Sequence, residues 1–457
     1  MATKGRSECL DAFIVALNQT YDGVEKRWYA STLELQLVSL EFCGACRRVP
    51  TLHVRVHRQT PRSLWSPRNS HATASKRRRE VCVSSRVPAV QASGLTWTLP
   101  MKVLQQSSAM ELRSGSKYRR VRGNSSAASL GSMFWLQRLT LLEFDSDMPP
   151  IAGTVWPASL QQLSFGWEFN QPIANVAWPA SLQRLSFGLH FNQPITAVVW
   201  PVSLQQLSFG HDFNQPIAGT VWPASLQQLS FGWEFNQPIA NVAWPASLQK
   251  LSFSYEFNQP IADVVWPASL QRLSFGLDFN QPITAVVWPV SLQQLSFGYG
   301  FNQPIAGTVW PASLQQLRFG GNFNQAVAGV EWPASLQQLS FCGEFNQPIA
   351  EVAWPANLKK LRFDGEFNQP IVEVAWPASL QQLSFGGKFN QPIAEAMWPA
   401  SLQQLRFGGK FNQAVAGVAW PASLQQLSFG SKFEQSLIGV VWPASVRSVT
   451  RNGQSLL

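Results

Sequence analysis

The chain has 457 residues, 45% of them hydrophobic and only 13% charged, roughly half the usual charged share. Its net charge of +10 is unevenly placed: residues 1–130 hold 21 Lys+Arg against 8 Asp+Glu, and residues 131–457 hold 14 against 17. An odd count of five Cys, with only Cys342 beyond residue 82, excludes a disulfide framework and points to a reducing intracellular, cytoplasmic setting, and no run approaches the roughly 20 apolar residues of a membrane helix.

Residues 1–45 carry both helical and strand potential and commit to neither type, with partial helix as one reading. The stretch Thr32–Leu40 alternates at period two and then drifts. The apolar run Ala12–Leu17 is too short for a secretory signal. Residues 46–129 are rich in Arg, Ser and Pro and read as a basic, largely disordered linker. Two features there carry weight. Cys43-Gly44-Ala45-Cys46 precedes His53 and His57, but six residues separate Cys46 from His53, against about twelve in a two-Cys two-His finger. An incidental pair is therefore favoured over zinc. The run Lys76-Arg77-Arg78-Arg79 suits a nuclear address or a nucleic-acid contact as well as a solvated charge run.

Order is expected from residue 130. Residues 130–155 read as a divergent capping repeat, about two residues out of register with the regular coils. Residues 156–441 then form thirteen repeats. Trp-Pro recurs every 22 residues, from Trp156 to Trp442, and 14 of the 20 Trp occupy that position. Residues 442–457 read as a truncated C-terminal capping repeat. So strict a period is the signature of a solenoid.

Within one unit, Leu160-Gln161-Gln162-Leu163-Ser164-Phe165 has strand alternation. Leu163 and Phe165 are expected to face inward, Gln162 and Ser164 outward. Gly166 allows a turn, Phe169 and Ile173 re-enter the core, and Pro172 keeps the return arc extended. Twenty-two residues leave no room for a long helix. The predicted fold is a β-rich solenoid, a leucine-rich-repeat-like stack with one parallel sheet. At about 4.8 Å per strand it would be a rod roughly 65–70 Å long.

An Asn stands at one position of each coil: Asn170, Asn192, Asn214, Asn236, Asn258, Asn280, Asn302, Asn324, Asn346, Asn368, Asn390 and Asn412. A side-chain amide buried in a turn is expected to bond the backbone of its own coil and the next. Glu434 replaces it in the last coil, where the ladder runs out of neighbours.

The unit Trp-Pro-Ala-Ser-Leu-Gln-Gln-Leu-Ser-Phe-Gly-x-x-Phe-Asn-Gln-Pro-Ile resembles the FNIP repeat, a family related to leucine-rich repeats. The defining motif is Phe169-Asn170-Gln171-Pro172 and its copies. Ala326, Ala414 and Ser436 depart from the motif Pro. The resemblance implies a solenoid. Some similar proteins carry an F-box before the repeats and would serve as ubiquitin-ligase adaptors, but residues 8–45 lack its Leu-Pro opening.

Two sets of positions are left free by the core. The outward strand positions hold Arg184, Lys250, Arg272, Arg318, Lys360, Arg362 and Arg406 among Gln and Ser. These cations would line one face, fit for an acidic peptide or merely solvated. The pair after the turn Gly varies most. It offers Trp167, His211, Trp233, Tyr255 and Tyr299 beside an acidic row of Glu168, Asp212, Glu234, Glu256 and Asp278. From Gly321 onward that first position is Gly, or Ser at Ser431, with Lys at the second position near the end. The aromatic residues read as partner anchors or as rings packed along their own coils. No catalytic set, phosphate loop, cofactor or metal site is expected in the repeats. The expected function is a monomeric, non-enzymatic scaffold for a protein partner, with no membrane association. A ligase adaptor, or nucleic-acid binding through the basic arm, is the alternative.

Overall fold

The computed structural model describes the backbone of 52–56, 97–100 and 119–122, together with residues 139–144 and 151–456. The expectations for residues 1–45, for Cys43, Cys46 and the side chains of His53 and His57, and for the basic run at 76–79 lie outside the described residues. Within the segment read as a linker, three short strands are placed: β1 (Leu52–Val56), β2 (Trp97–Pro100) and β3 (Arg119–Arg122). β2 and β3 pair in parallel, Trp97 opposite Arg119.

Residues 139–455 supply strands β4 (Leu139–Phe144) to β19 (Gln454–Ser455), which with β1 make one 17-stranded sheet. From β5 (Gln162–Ser164) to β18 (Ser448–Arg451) each strand pairs in parallel with the strand one coil on, in 22-residue register, as Leu163 with Leu185 and Leu273 with Leu295. No helix interrupts the described coils, and none of the described residues forms a helix long and apolar enough to cross a membrane.

The inward and outward assignments hold. Leu160, Leu163, Phe165, Phe169 and Ile173 are buried, while Gln162 and Ser164 are half-buried on the outer face. The coil closes through three corner turns. Gly166 C=O accepts from Phe169 N–H at 3.2 Å, Ile173 C=O from Val176 N–H at 3.2 Å, and Pro179 C=O from Leu182 N–H at 3.0 Å. These turns replace any continuous return arc. Ser closes the Trp-Pro corner: Ser181 Oγ–H donates to Leu160 C=O of the preceding coil at 2.6 Å, and most later coils repeat the bond.

Aromatic rings fill the interior as continuous columns. Equivalent rings in successive coils lie 5.6 Å apart at Phe187–Phe209, 6.0 Å at Phe191–Phe213 and 6.4 Å at Trp200–Trp222. The separation grows with distance from the sheet. The wider spacing away from the strands points to a stack that bends toward its strand face.

The two ends differ from a plain repeat. At the N-terminal end Leu142 pairs with Leu163, one residue short of the 22-residue register rather than two. Leu142 and Phe144 take the places of Leu163 and Phe165 in the core, and β1 pairs in parallel along the outer edge of β4. At the C-terminal end β19 folds back antiparallel on β18, Thr450 opposite Ser455. Asn452 and Gly453 turn this hairpin with φ of 48° and 82°, the two-residue geometry that an Asn-Gly pair favours. Both sheet edges thus gain a pairing strand, which blunts their capacity to template another chain.

Candidate functional site

The Asn ladder is the most regular polar feature. Each Asn Oδ1 accepts the backbone N–H of the equivalent residue one coil on, from Asn192 N–H on Asn170 to Glu434 N–H on Asn412, at 2.8–3.0 Å throughout. The neighbouring Gln of the motif completes it: Gln281 Nε2 donates to Asn258 Oδ1 at 3.0 Å and to the Asn258 carbonyl at 2.9 Å. The Asn side chains are half-buried or exposed rather than buried. The bonds satisfy a column of turn N–H groups that parallel strands leave unpaired. The role of Gln is invisible in one unit, because its partner belongs to the preceding one.

The strand face is a shallow polar groove. Side chains of Gln206, Ser208, Gln294 and Ser296 line stretches of it, and the seven cations all lie on it as expected. Arg272 sits in register with Lys250. Arg362 is ion-paired, with Nε 2.7 Å from Asp364 Oδ1, so its charge is locally offset.

The post-strand edge is held by its own backbone ladder. His190 N–H donates to Trp167 C=O, Asp212 to Leu189, Glu234 to His211 and Glu256 to Trp233, each at 2.9 Å. On that frame three rings stack across consecutive coils: His211 on Trp233 at 5.1 Å, and Trp233 on Tyr255 at 4.2 Å with planes 5° apart. Trp167 and Tyr299 are not part of this stack and are 68% and 56% exposed. The packing reading of the aromatic column thus holds for the three stacked members, while Trp167 and Tyr299 stay exposed.

The change to Gly at 321 has conformational causes. The Tyr299 ring lies across Gly321, where an added Cβ would stand 2.2 Å from the ring atoms. Gly343 and Gly365 have φ of 62° and 60°, a region costly for other residues. They follow Cys342 and Asp364, which replace the turn Gly.

The acidic row is not a uniform line of like charges. Asp212 accepts from two imidazoles, with His190 Nδ1 2.7 Å from Oδ2 and His211 Nδ1 2.6 Å from Oδ1. Glu234 Oε1 lies 3.7 Å from His211 Nδ1. Hydrogen bonding to Asp212 raises the His190 pKa above its ordinary 6.5, with Glu168 adding to the field. The same bond holds Asp212 below 3.8. A raised imidazole stabilises the fold below 6.5 and loses that contribution as pH rises through its folded value. A lowered carboxyl does so above 3.8 and loses it as pH falls. The contact is thus fully present between those limits. The melting-temperature loss in His190→Gln, compared with the unaltered chain, should be larger at pH 5.5 than at pH 8.5. Equal losses at both would deny the contact its electrostatic role.

One exposed feature has no counterpart in the sequence reading. The residues one before and two after the repeat Trp form an aliphatic row: Val199, Val202, Val221, Val265, Val287, Val290 and Val309 are 77–81% exposed. Its signal is the Val or Ala that recurs beside a buried Trp.

The comparisons agree with this architecture. The model of the FNIP repeat matches residues 150–190, 191–234, 213–256, 235–278, 257–300, 279–322, 345–388 and 367–410, together more than half of the chain. Among solved structures, CroV588, described as a circular leucine-rich-repeat protein, is 36% identical, with a TM-score of 0.59 over 73% of this chain and 56% of that one. The present chain thus spans just over half the length of that relative. An internalin of Listeria monocytogenes aligns at 15% identity and a TM-score of 0.42, over 64% of this chain and 84% of its own. No curated protein matched the sequence. The 22-residue coil, its Phe-Asn-Gln-Pro motif and the family match together make this chain a member of the FNIP repeat family, a leucine-rich-repeat-related solenoid.

Proposed function

We propose that the chain is a non-enzymatic scaffold that binds a protein partner along its post-strand edge, where Trp167, the His211–Trp233–Tyr255 stack and Tyr299 supply the anchors. The observation that carries this reading is the exposure of large aromatic rings on a rigid backbone ladder: Trp167, Trp233 and Tyr299 are 68%, 43% and 56% exposed. Aromatic anchors contribute most to interfaces when they lose little freedom on binding. Stacked rings one coil apart meet that condition. Glu256 and Asp278, in the second post-turn column beside them, favour a partner with basic groups at its rim. The inner, curved strand face is the second surface, suited to an acidic segment. An adaptor or nucleic-acid role would draw on the first 130 residues instead.

The test is a pull-down from cell extract with the full chain and with a variant carrying Trp167→Ser, Trp233→Ser, Tyr255→Ser and Tyr299→Ser. A partner captured by the first and lost by the second, at unchanged melting temperature, supports the edge. Equal capture by both would remove the edge and leave the strand face, which Lys250→Gln with Arg272→Gln then probes.

A further inference from the structure

We propose that His211, Asp212 and Glu234 form a binding site for a divalent transition cation of the zinc class, with His190 as a positioning residue held against Asp212. The four residues come from three successive coils, and the 22-residue period gathers them. His190, Asp212 and Glu234 occupy one column, and His211 precedes Asp212 in the chain. The repeats contain no other His, and both converge on this point. The proposal departs from the expectation of no metal in the repeats.

The geometry suits a small cation. Donor atoms of His211, Asp212 and Glu234 all lie within 4.8 Å of one another. His190 Nδ1 is 2.7 Å from Asp212. Zinc holds N and O donors at about 2.0–2.2 Å, which in a tetrahedron places them roughly 3.3–3.6 Å apart. His211 Nδ1 and Glu234 Oε1, at 3.7 Å, come within about 0.1 Å of this range. The His211–Asp212 contact, at 2.6 Å, must open by about 1 Å or less for the three donors to meet one ion. Rotation of the partly exposed Asp212 side chain supplies that.

The donor set also selects the metal. One imidazole with two carboxylates, leaving a position for water, fits zinc, copper and nickel, whereas calcium takes 6–8 oxygens. The backbone bonds of His190, Asp212 and Glu234 to the preceding coils, each 2.9 Å, hold the three main-chain positions in place. Little ordering is then required of the protein beyond its side chains. The site adjoins the aromatic stack through His211 and does not depend on any partner.

The experiment titrates Zn²⁺ by calorimetry, and Co²⁺ by visible absorption, into the full chain carrying Cys43→Ser and Cys46→Ser, which silences those N-terminal thiols. One equivalent of bound metal is expected, without thiolate charge-transfer bands. Adding His190→Ala and His211→Ala should weaken it more than about a hundredfold, and Asp212→Asn alone at least about tenfold. Circular dichroism checks that each variant stays folded. Absence of binding at micromolar metal, or equal affinity in the parent and in Asp212→Asn, overturns the proposal.

Discussion

Replacing Phe257 with Ala should cost the array about 3–5 kcal/mol and divide its unfolding into separate steps. Phe257 is fully buried. Its ring packs 4.1 Å from Phe253 in its own coil and 6.1 Å from both Phe235 and Phe279 in the coils on either side. Removing it leaves a cavity that cannot collapse, because the backbone of three coils is clamped by several hydrogen-bond ladders. Each coil touches only its neighbours, so stability is a sum of local units and interfaces between them. Weakening one central interface uncouples the halves. Guanidinium unfolding followed by circular dichroism reads the result: a single transition in the unaltered chain and a broadened or biphasic one in Phe257→Ala. A loss below about 1 kcal/mol would mean that the ring column does not carry the stability assigned to it.

The Asn ladder yields the second large effect, with a built-in asymmetry. Asn258→Ala removes the acceptor for Asn280 N–H at 2.9 Å and for Gln281 Nε2 at 3.0 Å. An orphaned donor costs about 1–3 kcal/mol, and partial access of water places this one toward the lower end. Glu434→Ala, in the last coil, removes no acceptor from a following coil and should fall within about 0.5 kcal/mol of the unaltered chain. Denaturation midpoints of the two variants measure the contrast. Equal losses would show that the column acts through packing or turn propensity rather than through coil-to-coil hydrogen bonds.

Much of the architecture is legible because a repeat states its own geometry many times. A period of 22 with Leu163 and Phe165 alternating against Gln162 and Ser164 leaves few ways to bury the apolar positions, so strand, facing and parallel pairing emerge from one unit. The cations of the strand face were equally readable, since period-two alternation places them without knowledge of the neighbours. The His190–Asp212 contact was not read, although the period puts those residues one above the other. What selects it is side-chain reach, which spacing does not contain. The Gly at 343 and 365 stand out in the sequence only as a change of residue at a variable position. Their backbone angles show that the altered turn after Cys342 and Asp364 needs them.

The sequence by itself therefore determined the coil: its length, its buried and exposed faces, its Asn ladder and the family to which it belongs. These depend on patterns local to 22 residues and repeated without interruption. Only the tertiary structure decided the curvature, the strands that cover the two sheet edges, the partial exposure of the Asn column and the meeting of two His with Asp212 and Glu234. Each of these is a property of how one coil is rotated and translated onto the next, a quantity set by packing between coils and written in no single one of them.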